Sequence, residues 1–202
     1  MTTLVALAGA YLIGAIPTSY LAARLGRGID LREHGSRNLG ATNVYRVLGW
    51  RYAVPVALLD IAKGAVPVVL GRALLPASAT WLPVALGAAA VTGHVFSPYV
   101  GFKGGKGVAT AGGMFFALAP LALTLALVLW VCIVWATGFV SLGSIGAAAL
   151  FPVAARMLGA DAATFWTAVG VALLIVVAHR ANIRRLFAGT EHRFRTRPGA
   201  VT

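Results

Sequence analysis

Acidic residues and cysteine are scarce in this chain. Its 202 residues include five aspartates and glutamates and one cysteine. Because the five carboxylates are dispersed along the sequence, no cluster of them can hold magnesium, and we expect neither a metal nor another cofactor. Cys132 can form no intramolecular disulfide and has no histidine or second cysteine nearby for a metal site. Its apolar neighbours predict a position in the packed core.

Charge is also sparse: charged residues make up 11% of the chain and hydrophobic residues 59%. Such a composition lies outside that of soluble domains and indicates an integral membrane protein. Several apolar runs approach or exceed the ~20 residues that a spanning helix needs. These runs are Leu4 to Leu25, Ala53 to Leu75, Ala79 to Val95 and Ala162 to Ala178. We therefore predict an all-α membrane fold.

Basic residues predict the orientation of the chain. No lysine or arginine precedes the first apolar run, whereas Arg24 and Arg27 follow it, so we expect an outside N-terminus and no cleaved signal peptide. The net charge is +12, but the cations border the apolar runs, which disfavours nucleic acid as a partner. We expect three cytoplasmic loops, at residues 26–51, 97–107 and 179–202, and a cytoplasmic C-terminus.

The helix count follows from the segment between Lys106 and Asp161, which should lie on opposite sides of the membrane. The chain must cross an odd number of times here, and one crossing cannot use all these residues. Three crossings give each helix ~17 residues, with turns at Pro120 and Gly138. The prediction is a single polytopic domain, residues 1–202, with seven transmembrane helices, some of them short.

The first loop reads REHGSRNLGATNVYR at residues 32–46 and is rich in glycine and short polar side chains. Arg46 offers two parallel donors to a phosphate or carboxylate, and Gly35 and Gly40 permit close approach to the backbone. The polar members are Ser36, Asn38, Thr42 and Asn43. These residues favour an anion site, although a solvated turn with helix caps explains them equally well when the loop is taken alone.

The second loop, GFKGGKG at residues 101–107, combines glycine with lysine. It is not a nucleotide-binding P-loop, because Val100 and Gly107 stand where that motif needs glycine and a hydroxyl residue. Its glycines nevertheless allow backbone N–H groups to converge on an anion, and Lys106 supplies a compact charge. The glycines concerned are Gly104, Gly105 and Gly107. We predict phosphate binding without nucleotide hydrolysis; the alternative is a flexible loop that only follows the positive-inside rule.

The third segment follows the last apolar run. If the helix continues, His179 and Asn182 share one face, although a lone histidine here is more often an interfacial residue. Arg184 and Arg185 suit lipid headgroups. Glu191 has the alternative role of a counter-ion to the arginines around it.

Asp60 and Lys63 are charged residues inside the second apolar run. Charges at membrane depth are costly, face the bundle interior and pair, so we predict mutual neutralisation that fixes helix packing. A supporting role beneath the site is the alternative. Farther along the chain, Gly143 and Gly146 predict close contact between helices.

Together the three loops, with LDIAKG in the second apolar run, resemble the bacterial acyl-phosphate:glycerol-3-phosphate acyltransferases in order and spacing along the whole chain. The resemblance implies a seven-helix inner-membrane protein whose site faces the cytoplasm. It would transfer an acyl group from acyl phosphate to the 1-hydroxyl of glycerol 3-phosphate, giving lysophosphatidic acid and phosphate and beginning phospholipid synthesis. No cofactor is implied. The partners would be both substrates, membrane lipids and the enzyme that forms acyl phosphate.

The resemblance also implies roles for loop residues. The residues that hold glycerol 3-phosphate would be Ser36, Arg46, Lys106, His179 and Asn182. Those that surround acyl phosphate would be Asn38, Thr42, Asn43, Gly104, Gly105 and Gly107, and Glu191 joins the substrate-binding set. The substrate's own phosphate could accept the proton, so His179 would position more than act as a base. In one place the chain departs from the family, which commonly has glycine where this chain has Arg37; that puts the backbone conformation there in question.

Two other classes of function stay open at this point. A phosphate or organic-anion transporter would bind near the middle of the membrane between repeated halves, whereas these polar residues crowd one face and no repeat is evident. A structural protein that binds anionic lipid explains the arginine-rich C-terminus but not the glycine loop. Thioester-dependent acyltransferases commonly carry histidine followed five positions later by aspartate. None of the four histidines is followed in that way, which favours acyl phosphate as the donor.

Overall fold

A computed structural model describes residues 2–74 and 79–194. Within those ranges the chain forms ten α-helices and two short 3-10 helices, Leu31–Glu33 and Pro98–Val100, and no strand. The α-helices are α1 Thr2–Ala15, α2 Thr18–Arg27, α3 Ala41–Leu48, α4 Trp50–Leu74, α5 Trp81–Val95, α6 Val108–Leu118, α7 Pro120–Thr137, α8 Val140–Met157, α9 Ala162–Ala178 and α10 Arg180–Phe187. The predicted all-α class is confirmed.

The described chain divides into two compact units. The first ends at Met114 and the second begins at Phe115, so the division falls inside α6. By length and composition α4, α7 and α8 can each cross a membrane, and within the described residues the number of possible spans rises to five if each bent helix pair counts as one. The seven-span topology and the single domain stay predictions.

The first apolar run is two helices instead of one. α1 ends at Ala15, α2 begins at Thr18, and the two are bent by 40°. Pro17 explains the break, because proline lacks an N–H group and disfavours helical geometry in the residue before it. Hydrophobicity continues across the break, which is why the run looked continuous in the sequence.

The segment between Lys106 and Asp161 forms three helices, α6 to α8, which is the predicted number. α6 has 11 residues and is shorter than the ~17 residues predicted for each crossing,. Pro120 is the first residue of α7, and Gly138, at φ 77°, ends it in the left-handed conformation. In the second unit α7 packs on α8, and a Cβ at Gly143 would lie 2.8 Å from Cγ2 of Val134. The predicted close helix contact is therefore confirmed.

Cys132 is exposed on α7, so the prediction of a core position is wrong. α7 is apolar on nearly every side, and such a helix gives no sequence signal for which side meets a neighbour.

In the first unit, backbones approach each other at glycines. A Cβ at Gly64 of α4 would overlap the carbonyl oxygen of Thr110, and a Cβ at Gly113 of α6 would overlap that of Ile61. Such direct backbone contact needs small residues. It holds the beginning of α6 against α4 and so fixes the position at which the second loop ends.

Candidate functional site

Asn43 organises the first loop. Its side chain is 1% exposed, and its Oδ1 accepts the Ser36 backbone N–H at 2.8 Å. Its Nδ2 donates to the carbonyls of His34 at 3.0 Å and Asn38 at 3.1 Å. Both the oxygen and the nitrogen of the Asn43 amide thus form hydrogen bonds inside the loop. Asn43 fixes the backbone around Ser36 and Asn38, a role that sequence alone could not separate from ligand binding.

Arg37 lies in the left-handed region at φ 60°, two residues after Gly35 at φ 59°. Left-handed geometry costs ordinary residues roughly 1–2 kcal/mol and glycine almost nothing. The backbone conformation left in question by the sequence is therefore one that glycine would adopt without strain. The Arg37 side chain is exposed.

The loop begins with an acid that the sequence analysis did not assign. Asp30 accepts the backbone N–H of Arg32 at 2.9 Å, and the Arg32 guanidinium contacts it at 2.6 Å. Hydrogen bonds from Arg32 lower the pKa of Asp30 to about 2. The pair caps the short 3-10 helix and stabilises its turn.

α3 carries the remaining residues of the first loop. Thr42 and Arg46 are four positions apart, so both project from neighbouring turns on one side of α3, and both are half-buried. The opposite side packs into the core of the first unit through Val44, which lies against a cluster that includes Leu31 and Leu39. Burial of these apolar residues sets the orientation of α3.

The second loop is bound to the end of α5. The Gly104 N–H donates to the carbonyl of Val95 at 3.0 Å, and the Gly105 N–H donates to that of His94 at 3.1 Å. A Cβ at Gly104 would overlap the His94 carbonyl oxygen. These two glycines are therefore needed for close packing, and their N–H groups serve the fold instead of an anion.

Lys106 and Gly107 connect this bound segment to α6. Lys106 is half-buried, and Gly107, at φ 79°, accepts the Ala111 N–H on its carbonyl at 2.7 Å as α6 begins. The first N–H groups of a helix have no partner within it and favour negative charge. Lys106 thus lies just before the N-terminus of α6, and the dipole of this helix end also attracts anions.

The predicted ion pair inside α4 is confirmed. Lys63 Nζ lies 2.8 Å from Asp60 Oδ1, and both side chains are almost fully buried. Thr18 donates its hydroxyl to the same carboxylate oxygen at 2.5 Å, and Lys63 also donates to the carbonyl of Ile16 at 2.9 Å. The pair therefore joins α4 to the break between α1 and α2.

In the second unit Glu191 is the centre of a hydrogen-bond cluster. Ser141 Oγ donates to its Oε1 at 2.8 Å, Asn182 Nδ2 donates to the same oxygen at 2.6 Å, and Arg185 Nε donates to Oε2 at 2.7 Å. Burial alone would raise the pKa of Glu191, but these three donors outweigh it and lower the pKa. The carboxylate is thus a fixed acceptor that orients Asn182. Ser141 gave no signal in the sequence.

His179 lies where α9 and α10 meet at 56°. The helix therefore does not continue straight through His179, which was the condition for His179 and Asn182 to share one face, and α10 begins anew at Arg180. His179 is buried, and its Nδ1 lies 2.8 Å from the carbonyl oxygen of Ile175, which places the ring proton on Nδ1. Arg185 pairs with Glu191, so only Arg184 of the two arginines is exposed as expected of a headgroup contact.

Comparison with known proteins gives one consistent result. The family model described as glycerol-3-phosphate acyltransferase matches residues 4–189. A glycerol-3-phosphate acyltransferase of Geobacter sulfurreducens is 45% identical over 96% of this chain and 99% of its own length. That of Desulfotalea psychrophila is 48% identical over 90% and 92%.

Solved structures agree with the sequence relatives. The crystal structure of the integral membrane glycerol 3-phosphate acyltransferase PlsY, in its glycerol 3-phosphate form, matches with a TM-score of 0.90 and 38% identity over 96% of each chain. Its lysophosphatidic acid form matches with a TM-score of 0.88 and 37% identity over 96% of this chain and 95% of that one.

Proposed function

We propose that this chain, which belongs to the glycerol-3-phosphate acyltransferase family, takes its acyl group from an acyl phosphate. Membership rests on a match over residues 4–189 and on relatives more than 40% identical over nearly the whole chain. It makes the chain a membrane acyltransferase of phospholipid synthesis and removes the support for a transporter or a structural lipid-binding protein. The donor and the roles of individual residues are what the proposal adds.

The observation that carries the donor is the start of α6 directly after the glycine loop. Gly107 follows a segment whose Gly104 and Gly105 N–H groups are bound to α5, and it precedes the first turn of α6. The N–H groups of a helix N-terminus held by fixed backbone suit a phosphate leaving group, because they need no reorganisation as negative charge develops. A thioester donor has no phosphate at its acyl carbonyl for this helix end to bind.

In the proposed reaction the 1-hydroxyl oxygen of glycerol 3-phosphate attacks the acyl carbonyl carbon. The bond between that carbon and the phosphate oxygen breaks, and phosphate leaves with the electron pair. A substrate phosphate accepts the hydroxyl proton, so lysophosphatidic acid and inorganic phosphate are formed. Acyl phosphate is a reactive mixed anhydride, which lets orientation and charge stabilisation account for most of the rate.

From the first unit we assign Ser36, Arg46 and Lys106 to glycerol 3-phosphate, and Asn38 and Thr42 to acyl phosphate. Arg46 and Thr42 share one side of α3. For Asn43, Gly104 and Gly105 we propose indirect roles, since their polar groups are used within the loops. Gly107 keeps its proposed place beside the acyl phosphate at the start of α6.

From the second unit we assign His179 and Asn182 to glycerol 3-phosphate. The Nδ1 contact with the Ile175 carbonyl fixes the orientation of the His179 ring. Asn182 donates one amide hydrogen to Glu191. We therefore propose that Glu191 acts by orienting Asn182 instead of touching the substrate.

The reaction is tested by supplying the purified protein with glycerol 3-phosphate and one donor at a time. The donors are acyl phosphate, acyl-CoA and acyl carrier protein with the same acyl chain. We expect lysophosphatidate from acyl phosphate, unchanged in chelator, and negligible product from either thioester. Comparable rates from acyl-CoA, or a loss in chelator that magnesium reverses, would overturn the proposal.

We also propose seven spans in the inner membrane, an outside N-terminus and cytoplasmic loops. A Cys132→Ser background removes the exposed native thiol. Single cysteines then replace the exposed residues Arg37, Lys103 and Arg193. Arg156→Cys is the opposite-side control, because exposed Arg156 lies near Asp161, which we expect outside. An impermeant thiol reagent added to intact cells should label only the control. Labelling of any of the first three from outside would refute the shared cytoplasmic face.

A further inference from the structure

A buried polar cluster lies beneath the second loop in the first unit. We name it the loop-support cluster; its members are the buried residues Asp60, Lys63, His94 and Ser97 and the half-buried Thr18. Polar groups at this depth are expensive unless each has a partner. The contacts within the cluster show which parts of the fold these polar groups connect.

One side of the cluster closes the break in the first apolar run. A helix that ends leaves its last carbonyl groups without partners in the helix. Ser97 donates its hydroxyl to the carbonyl of Ala15 at 2.6 Å, and Lys63 donates to that of Ile16 at 2.9 Å. The end of α1 is therefore held by residues of α4 and of the segment that leads into the second loop.

The other side of the cluster is His94. Its Nδ1 lies 3.7 Å from Asp60 Oδ1, and this buried nitrogen has no hydrogen-bond partner among the described residues. Its Nε2 lies directly under Gly105, where any Cβ would overlap it, and its backbone carbonyl accepts the Gly105 N–H. His94 thus fills the space between the Asp60 carboxylate and the backbone that precedes Lys106.

A small cavity lies between the side chains of the loop-support cluster and the backbone of the second loop. It measures about 10 Å³ and is lined by Thr18, Lys63, His94 and Ser97 together with Gly104 and Gly105. A cavity of that size has room for about one water molecule. The break, Lys63 and the second loop therefore line one small cavity.

Neutralisation does not explain His94. Asp60 and Lys63 already neutralise each other at 2.8 Å, and an apolar side chain would fill the space under Gly105 at lower desolvation cost. A histidine adds a rigid ring. Its Nδ1 faces Asp60, and the edge that carries Nε2 lies against Gly105. That arrangement fixes the distance between Asp60 on α4 and the backbone of the second loop.

We propose that His94, which lies beside the Asp60–Lys63 pair, is a positioning residue for acyl transfer. It fixes the Gly104–Gly105 segment and through it the charge of Lys106, so it acts on the binding of glycerol 3-phosphate without touching it. This inference rests on the proposed role of Lys106.

The test compares His94→Leu with His94→Gln, which keeps a polar amide under Gly105, and with Thr92→Val as a control. Thr92 is exposed on the same helix, and its hydroxyl donates to the carbonyl of Ala88 one turn earlier. For His94→Leu we expect the KM for glycerol 3-phosphate to rise about fivefold or more, with the KM for acyl phosphate within about twofold. His94→Gln should recover most of the loss, and Thr92→Val should match the parental protein.

A merely structural role predicts another pattern. Partial misfolding lowers the amount of active enzyme, so turnover falls while both KM values stay unchanged. That pattern, or parental constants in His94→Leu, would overturn the positioning role. A parental protein that forms no lysophosphatidate from acyl phosphate would instead refute the proposed donor.

The ion pair is tested through a double variant that keeps the cluster neutral, Asp60→Asn with Lys63→Met. If the pair holds His94, this double variant raises the KM for glycerol 3-phosphate as His94→Leu does, and adding His94→Leu changes it less than about twofold further. If the pair only neutralises itself, the double variant keeps the parental KM, and the link to His94 is wrong.

Discussion

Two buried carboxylates, Asp60 in the first unit and Glu191 in the second, are satisfied in different ways. Asp60 pairs with Lys63 three positions along the same helix. Glu191 accepts from Ser141, which is 50 positions away, and from Asn182 and Arg185 on α10. The first pair forms as soon as α4 forms, whereas the second cluster needs α8, α10 and the segment after α10 to meet.

The difference separates two ways of supporting a site. Asp60 lies beside His94, and His94 supports the backbone of the second loop. The loss of Asp60 should therefore first lower stability and then alter the position of Lys106. Glu191 orients one amide side chain, Asn182, and balances one guanidinium. Its loss should therefore cost less stability and act more directly on a proposed substrate contact.

The largest expected effect is on stability, in Asp60→Ala. Removing one partner leaves Lys63 charged and buried, which typically costs about 3–5 kcal/mol. The thermal midpoint of the purified protein should fall accordingly. The neutral double variant Asp60→Asn with Lys63→Met should regain most of that loss. An unchanged midpoint in Asp60→Ala would mean that water reaches Lys63 and that the pair is not a buried one.

Next in size is the effect of Lys106→Met on kcat/KM for glycerol 3-phosphate. Losing a charged contact to the substrate phosphate typically costs about 1.5–3 kcal/mol, or roughly 10–10²-fold in kcat/KM. Lys103→Met is the matched control, because Lys103 lies in the same loop, carries the same charge and is exposed. It should stay within about twofold of the parental rate, as expected for a surface charge. Equal losses in both variants would show that the loop acts only through its net charge.

Glu191→Gln should have a smaller effect, about 1–3 kcal/mol of stability, because one charged acceptor is replaced by a neutral one. The folded pKa of Glu191 is lowered from its usual 4.5. Its contribution is therefore fully present above pH 4.5 and is lost as pH falls through the lower folded value. The difference in thermal midpoint between parental protein and Glu191→Gln should be constant near neutral pH and shrink in acid. A difference that grows on acidification would contradict this sign.

Short-range relations are what the sequence predicted well. Asp60 and Lys63 are three residues apart, and Pro120 and Gly138 end helices by their own backbone geometry. Such features depend on spacing or on a single residue type, so they survive without knowledge of tertiary contacts. The helix ends at Pro120 and Gly138 in the segment after Lys106 followed from them.

Features decided by tertiary contact were missed or assigned another role. Asn43 can bind a ligand or a loop, and only the positions of three carbonyls show that its Nδ2 binds the loop. Glycine allows an anion or another backbone to approach, and at Gly104 the neighbour is the His94 carbonyl. Ser141 and Glu191 meet only after folding. The residue types therefore indicated the location of a site better than they indicated the role of each residue in it.

The smallest expected effect concerns the strained backbone of the first unit, in Arg37→Gly. Relief of the left-handed conformation gains roughly 1–2 kcal/mol, and the greater freedom of glycine in the unfolded chain removes part of it, leaving about 0.5–1 kcal/mol of added stability. Arg37→Ala is the matched control, since it removes the charge and keeps the strain at φ 60°. Thermal midpoints should rise for Gly and not for Ala, while the two variants share the same KM values. A rise in both would assign the effect to charge repulsion in this basic chain, and a rise in the KM for acyl phosphate in both would make the Arg37 side chain a contact of the donor.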